Sequence, residues 1–374
     1  MSPVSILTLA GLCLLASPLA IAGEAWQQAL PGWNYQFPRD HYTHNDFRTE
    51  WWYATGQVRT AEGRRFGYQF TLFRRGVRPP GDRVPVASRW VVDHLPLGHF
   101  ALTDVGAQRF YFDQRLERGA FGRAGFAPVG GGENRLAWIG DWSIALQPDH
   151  YFTLRATQPG AVLDLKLEPT RPPLLNGENG VSQKSDGAGN ASHYYSLTRM
   201  KTTGTVTVEG TAYPVSGLSW LDREWATNQL SAEQVGWDWL SLHLSDGSDL
   251  MLYQLRRKDG SADEFSSGTW LAADGITSRH LKRGDFTMTP VPGRTWTSAG
   301  SGGRYPTAWR IEIPGESLAV QVAAVLPDQE LALSPVAYWE GAVDVAGIRS
   351  GQPLTGEGYL EMTGYSGPLQ ALKQ

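Results

Sequence analysis

The sequence predicts an all-β protein built as two tandem β-barrels with few or short helices, and three observations lead there. The first is composition: 43 Gly, 23 Pro and 15 Trp stand beside only 19% charged residues, a balance that favours short strands joined by turns over long charged helices. The second is patterning. Phe66, Tyr68, Phe70 and Leu72 alternate with Gly67, Gln69 and Thr71, and Leu240, Leu242 and Leu244 alternate with Ser241, His243 and Ser245, which is the two-residue period of a half-buried strand. The third is an internal repeat. Trp52 precedes Tyr68-Gln69 by the same interval as Trp237 precedes Tyr253-Gln254, each pair encloses a turn, and each ends in a basic doublet, Arg74-Arg75 or Arg256-Arg257.

Further strand signals fall at 110–112, 142–146, 152–156, 162–167, 205–208, 309–313 and 318–322. Turns are marked by Glu62-Gly63 and Asp246-Gly247, and long polar or Gly-rich loops by 130–132 and 176–190. A loop as long as the last is a functional lid or has no fixed structure. Many strands without alternating helices mean a sandwich or a barrel. Eight strands close around a space that holds one small ligand, as in lipocalins. The chain is long enough for two such units, and the expected division is 1–22 as a signal peptide, 40–225 as one barrel and 226–374 as the second.

The first 23 residues contain no Asp, Glu, Lys or Arg, have an apolar middle and end in small residues at Ala20 and Ala22, so export with cleavage before Gly23 is expected. Pro18 interrupts the run too early for a spanning helix. The sole cysteine, Cys13, lies in this segment, leaving a processed chain without disulfides or thiolate chemistry. The net charge of -4 gives no basic footprint for nucleic acid.

Four clusters could carry chemistry. In the run from His44 to Gly56, strand parity puts Glu50 and Trp52 on one face and Trp51 and Tyr53 on the other. Glu50 is then either an ion-paired structural residue or a general acid whose carboxyl is raised by an apolar cavity. In Ser219-Trp220-Leu221-Asp222-Arg223-Glu224-Trp225, Asp222 and Glu224 share a face opposite Arg223, either as part of a structural ion network or as a carboxylate pair at a pocket mouth. Trp237 and Trp239 offer an aromatic wall leading to Tyr253, or simply pack a core. His193 and Tyr194, in Ser192-His193-Tyr194-Tyr195-Ser196, could hydrogen-bond a ligand or close a barrel end. No G-x-S-x-G elbow, phosphate cradle or metal-ligand spacing is present, so neither a metal nor a cofactor is expected.

The motifs His44-Asn45-Asp46-Phe47-Arg48-Thr49-Glu50-Trp51-Trp52-Tyr53-Ala54-Thr55-Gly56, Ser192 to Ser196, Ser219 to Trp225, Tyr338-Trp339-Glu340-Gly341 and Gly356-x-Gly358-Tyr359-Leu360-Glu361-x-Thr363-Gly364-Tyr365 resemble those of the AttH and carotenoid 1,2-hydratase-like group of lipocalin-like proteins. They span nearly the whole chain beyond its first segment. The resemblance implies two lipocalin-like (calycin) barrels, and an exported, periplasmic or extracellular protein that binds a small apolar or amphipathic isoprenoid or lipid-like molecule. It also implies an ABC-type membrane transporter as a partner.

The alternative it implies is a hydro-lyase or isomerase acting on an alkene by acid catalysis, with Asp222 or Glu50 as the acid and aromatic side chains around a cationic intermediate. Hydratases of this group carry a His-x-Trp and then a Tyr-x-Asp. The matching positions are Arg223-x-Trp225 and Tyr253-x-Leu255, which keep Trp and Tyr but not His and Asp, a departure that counts against carotenoid hydration itself. Hydrolysis ranks last, for want of a nucleophile set. The expected ligand-contacting residues are Trp51, Trp52, Tyr53, His193, Tyr194, Trp225, Trp237 and Trp239, with Arg223 and Tyr253 beside the acids.

Overall fold

A computed structural model describes residues 25–83, 90–228, 230–333 and 337–367; the segment read as a signal peptide lies outside them. The first half of the chain supplies β1 (Thr49–Arg59), β2 (Arg65–Gly76), β3 (His94–Asp104), β4 (Arg109–Leu116), β5 (Ala124–Phe126), β6 (Arg135–Ile139), β7 (Trp142–Leu146), β8 (Phe152–Gln158), β9 (Ala161–Pro169), β10 (Leu174–Leu175), β11 (Val181–Gln183), β12 (Ala191–Val208) and β13 (Thr211–Ala226). The second half supplies β14 (Gln234–Leu244), β15 (Asp249–Arg257), β16 (Ser267–Leu271), β17 (Ser278–Lys282), β18 (Thr287–Pro290), β19 (Thr295–Thr297), β20 (Arg304–Pro306), β21 (Ala308–Ile313), β22 (Leu318–Ala324), β23 (Glu330–Leu331), β24 (Tyr338–Arg349) and β25 (Gln352–Met362). Among the described residues the helices are single 3-10 turns, such as Arg39–His41.

Apart from β19 and β20, which pair with each other as a separate ribbon, the strands form two curled, antiparallel sheets. The first has the order β4-β3-β2-β1-β13-β12-β9-β8-β7-β6-β5, and the second has β17-β16-β15-β14-β25-β24-β22-β21-β18. The connectivity recurs. In each sheet the first strand sits centrally, with the second strand on one side and the last strand folded back on the other, so the repeat read from the sequence is a repeat of topology.

It is not a repeat of side-chain facing. Trp52 points into the first barrel's core and Trp237 points out of the second, toward the space between the sheets. With a period of two, a one-residue offset is enough to exchange faces.

Burial follows from this arrangement. β8 and β9, on the outer wall, show buried side chains alternating with more exposed ones. β1 is buried almost throughout, because one face fills the first barrel and the other meets the second sheet. Each barrel has its own apolar core, and a third cluster containing Tyr53, Tyr194, Trp220, Trp239, Tyr253 and Tyr359 lies between them.

Polar seams clamp the barrels on either side of that cluster. Gln57 donates from Nε2 to the carbonyls of Val343 (3.0 Å) and Gly358 (2.8 Å). Asp249 on β15 accepts from Arg171, Thr198 and Arg199 of the first half at 2.5, 2.9 and 2.7 Å. Among the described residues no helix is long and apolar enough to cross a membrane.

Candidate active site between the two sheets

The pocket does not lie inside either barrel. It lies between them, because strand pairing stacks the chemically active residues into cross-strand rows on the facing sheets. On the first sheet, Tyr194, Glu224, Trp51 and Phe73 form one row across β12, β13, β1 and β2; Ser196, Asp222, Tyr53 and Thr71 form the next. On the second sheet, Tyr253, Trp239, Glu361 and Glu340 form a row across β15, β14, β25 and β24. The rows enclose a cavity of about 140 Å³, a size that holds a compact, ring-sized organic molecule.

Direct contacts fix the two walls against each other. The Tyr53 ring meets Trp239 edge-on at 5.1 Å, and the Trp239 indole N–H donates to the Tyr194 hydroxyl at 3.1 Å.

Asp222 is the best-held group in the site. It is almost wholly buried. Its Oδ1 accepts from Ser196 Oγ (2.5 Å) and Trp220 Nε1 (2.6 Å), and its Oδ2 accepts from the Tyr194 hydroxyl (2.5 Å). Burial drives its carboxyl upward; the three donors oppose this, neighbouring Glu224 adds to it, and the outcome is a group pushed up to about 7. Glu361, desolvated among the pocket walls and facing Glu224 and Asp222, is also pushed up to about 7.

Glu340 is directly opposite Glu361 in the β24–β25 ladder. Its carboxyl is held well above the usual range by burial and by Glu361. Like charges directly opposite on one sheet face destabilise each other, so the neutral form is favoured. Lys184 completes the site with its ammonium 3.4 Å from Glu224 and 4.0 Å from the centre of the Tyr253 ring.

Of the residues expected from the sequence, Asp222, Trp51, Tyr53, Tyr194, Trp237, Trp239 and Tyr253 are brought together here. Glu50, Arg223, Trp52, His193 and Trp225 are not. They are on the opposite faces of the same strands, inside the first barrel.

Glu50 accepts from Arg223 Nη2 (2.7 Å), Arg74 Nε (3.1 Å) and Thr43 Oγ1 (2.9 Å), while His44 Nδ1 is 2.7 Å away. Burial alone would raise its carboxyl, but Arg223, His44 and Arg74 outweigh burial and hold it well below the usual range. The expectation of an apolar cavity raising Glu50 is therefore corrected: it is a charged structural hub.

Arg223 lies 3.8 Å above the Trp52 ring and caps the carbonyls of Trp51 and Tyr42. Trp225 stacks on His44 at 3.8 Å, and His193 packs against Trp33 at 4.8 Å. These groups bind the segment before β1 across the barrel end.

Sequence reasoning placed Glu224 beside Asp222 but missed Glu340, Glu361 and Lys184 as site residues. Glu340 and Glu361 stand in the motifs near the chain's end, and parity there was the signal: Glu361 shares the face of Tyr359, and both motifs pair an acid with a nearby tyrosine. Lys184 had no local signal. It follows β11, whose Ser182 hydroxyl meets the Tyr253 hydroxyl at 2.8 Å, and this contact brings Lys184, from the polar stretch 176–190, to the pocket wall. Among the described residues no group of three or more His, Cys, Asp or Glu could hold a metal ion.

Two curled sheets with an aromatic, acid-bearing pocket between them define an all-β protein of the two-barrel, lipocalin-like class. The chain belongs to the AttH-like family, whose model matches residues 28–365. It is 35% identical to a putative AttH from Nitrosomonas europaea, with a TM-score of 0.79 over 91% of this chain and 99% of that one.

Among curated proteins it is 27% identical over 225 residues to the dehydratase asqC of Emericella nidulans, covering 57% of this chain and 62% of that protein. It is 24% identical over 233 residues to kievitone hydratase of Fusarium solani subsp. phaseoli, covering 60% and 64%. The chain thus spans less than two thirds of the length of these curated relatives. The crystal structure of kievitone hydratase from Nectria haematococca shares the fold, with a TM-score of 0.67 at 17% identity over 92% and 98% of the two chains.

Proposed function

We propose that this protein is a hydro-lyase, adding water to or removing it from a small, largely apolar molecule held between the barrels, with Asp222 as the general acid. The observation that carries the reading is a buried carboxyl at about 7, fixed by three donors, in the wall of an aromatic pocket. A general acid works best when its pKa lies near the working pH.

In the hydration direction Asp222 delivers a proton, directly or through Tyr194, to one alkene carbon. Positive charge develops on the other carbon against the faces of Trp51, Trp237 and Trp239. Water then adds, and Glu361 in its ionised form accepts the proton that water releases. Dehydration runs the same steps in reverse. The names of the hydratase and dehydratase relatives support this reading over the carrier reading, and Arg223, which lies inside the first barrel, plays no part in it.

The test is a panel of alkenes and their hydrated alcohols, with kievitone among the first, incubated in ¹⁸O-water and read by mass spectrometry. A panel member should gain or lose one water. Asp222→Asn should lower kcat at least about 100-fold while changing affinity less than about threefold. kcat/KM should fall about tenfold per pH unit above pH 7 as Asp222 loses its proton. Tight binding of panel members without turnover, unchanged in Asp222→Asn, would establish a carrier instead.

A further inference from the structure

Glu340 and Tyr53 play no part in the proton transfers above, yet both hold unspent polar capacity. Glu340 is 1% exposed, and neither of its carboxyl oxygens has a hydrogen-bond partner. The Tyr53 hydroxyl, from the facing sheet, is likewise buried and without a partner. The phenols of Tyr53 and Tyr338 lie near enough to the carboxyl to temper its rise, but neither makes a well-formed hydrogen bond to it, and Tyr338 is engaged by His99 Nδ1 at 2.7 Å. Buried polar atoms are nearly always partnered, and leaving them unpaired costs stability. Two such groups facing each other across the pocket are explained by a ligand that supplies the missing bonds.

We infer that Glu340 and Tyr53 form a polar anchor subsite that selects ligands carrying an uncharged oxygen group, a hydroxyl, phenol or ketone, where β1 faces β24. The inference builds on the placement of the ligand site in the hydro-lyase reading and does not depend on turnover.

The chemistry narrows the class from both sides. A protonated carboxyl both donates and accepts, and the Tyr53 hydroxyl supplies a second donor, so a hydroxyl or carbonyl oxygen satisfies both groups. A pure hydrocarbon leaves them unpaired and is disfavoured. An anionic group meets Glu361, directly across the ladder from Glu340, and the pocket's ammonium, Lys184, is already beside Glu224. Carboxylate and phosphate ligands are therefore disfavoured as well. The expected ligand is an oxygenated ring compound, and an unfunctionalised polyene or a fatty acid is not.

The experiment compares naphthalene, 2-naphthol and 2-naphthoate, which share a ring system and differ only in the polar group, by equilibrium dialysis against the full chain at pH 7. Wild type should bind 2-naphthol at least about tenfold more tightly than either of the others, the contrast expected when a site's buried hydrogen-bonding groups are left unpaired. Glu340→Gln, which keeps a donor and an acceptor, should retain the preference, whereas Glu340→Leu and Tyr53→Phe should each remove most of it. Thermal melts identify any variant that fails to fold, and Tyr53→Phe then carries the test alone.

Equal binding of naphthalene and 2-naphthol by wild type, or a preference that survives Glu340→Leu, overturns the anchor. So does preferential binding of 2-naphthoate. A protein that passes this test yet shows no exchange of water with any substrate keeps the anchor and loses the hydro-lyase reading; the reverse result separates them the other way.

Discussion

At the scale of single residues, two carboxyls on neighbouring strands, Glu50 on β1 and Asp222 on β13, are driven in opposite directions by what surrounds them. Asp222 has hydroxyl and indole donors but no cation beside it, and burial wins. Glu50 is just as buried, but two guanidinium groups and an imidazole reverse the balance. Glu50→Gln should therefore cost stability. Removing one partner of a buried ion cluster strands the others, at about 3–5 kcal/mol, or roughly 10 °C in Tm.

The loss carries a pH signature. Because the Glu50 carboxyl is depressed in the folded state, its contribution is fully present above its ordinary value of 4.5 and disappears as pH falls through the depressed one. Wild type and variant should thus differ most near neutral pH and converge in acid, as measured by thermal melts across pH. A variant as stable as wild type at pH 7 would mean that the cluster contributes nothing. The sequence showed that Glu50 and Asp222 were the acids to weigh. It could not show which one had the cations, because Arg74 comes from β2 and Arg223 from β13, and only strand pairing brings them to Glu50.

At the scale of elements, the site depends on how β1 and β2 lie against β24 and β25. Gly67 on β2 is a point of close approach: a Cβ there would stand 2.6 Å from the Ala342 Cβ and 3.3 Å from the Tyr359 hydroxyl. No side chain fits without moving one sheet off the other. Gly67→Leu should destabilise the protein by about 1–3 kcal/mol through overpacking. It should also weaken 2-naphthol binding by more than Glu50→Gln does, since it acts on the pocket's spacing. Equal effects of the two changes on affinity would show that this contact does not set the gap.

Strand positions were legible because outer strands such as β8 and β9 expose one face and so alternate cleanly. Strands such as β1 were harder to interpret. With both faces buried, apolar and polar residues occur on each, and periodicity alone cannot say which face is barrel interior and which is pocket.

At the scale of the molecule, two barrels of like topology are joined through a shared aromatic cluster and a buried acid. Asp249, fully buried on β15, takes Arg171, Arg199 and Thr198 from the other half. The whole chain should therefore unfold in one calorimetric transition, and Asp249→Ala, by removing the shared partner at a cost of about 3 kcal/mol, should separate it into two. Two transitions already present in wild type would show that the barrels are energetically independent.

The sequence by itself determined the all-β class, the doubled architecture, the family resemblance and most of the aromatic wall, because these depend on composition, a two-residue period and local motifs. Only the tertiary structure decided that the pocket lies between the barrels, that Asp222 and Glu361 are the groups near neutrality, and that Glu340 and Lys184 belong to the site. The physical reason is that a carboxyl's chemistry is set by desolvation and by the charges around it. Those come from strands up to about three hundred residues apart in the chain, so no local pattern encodes them.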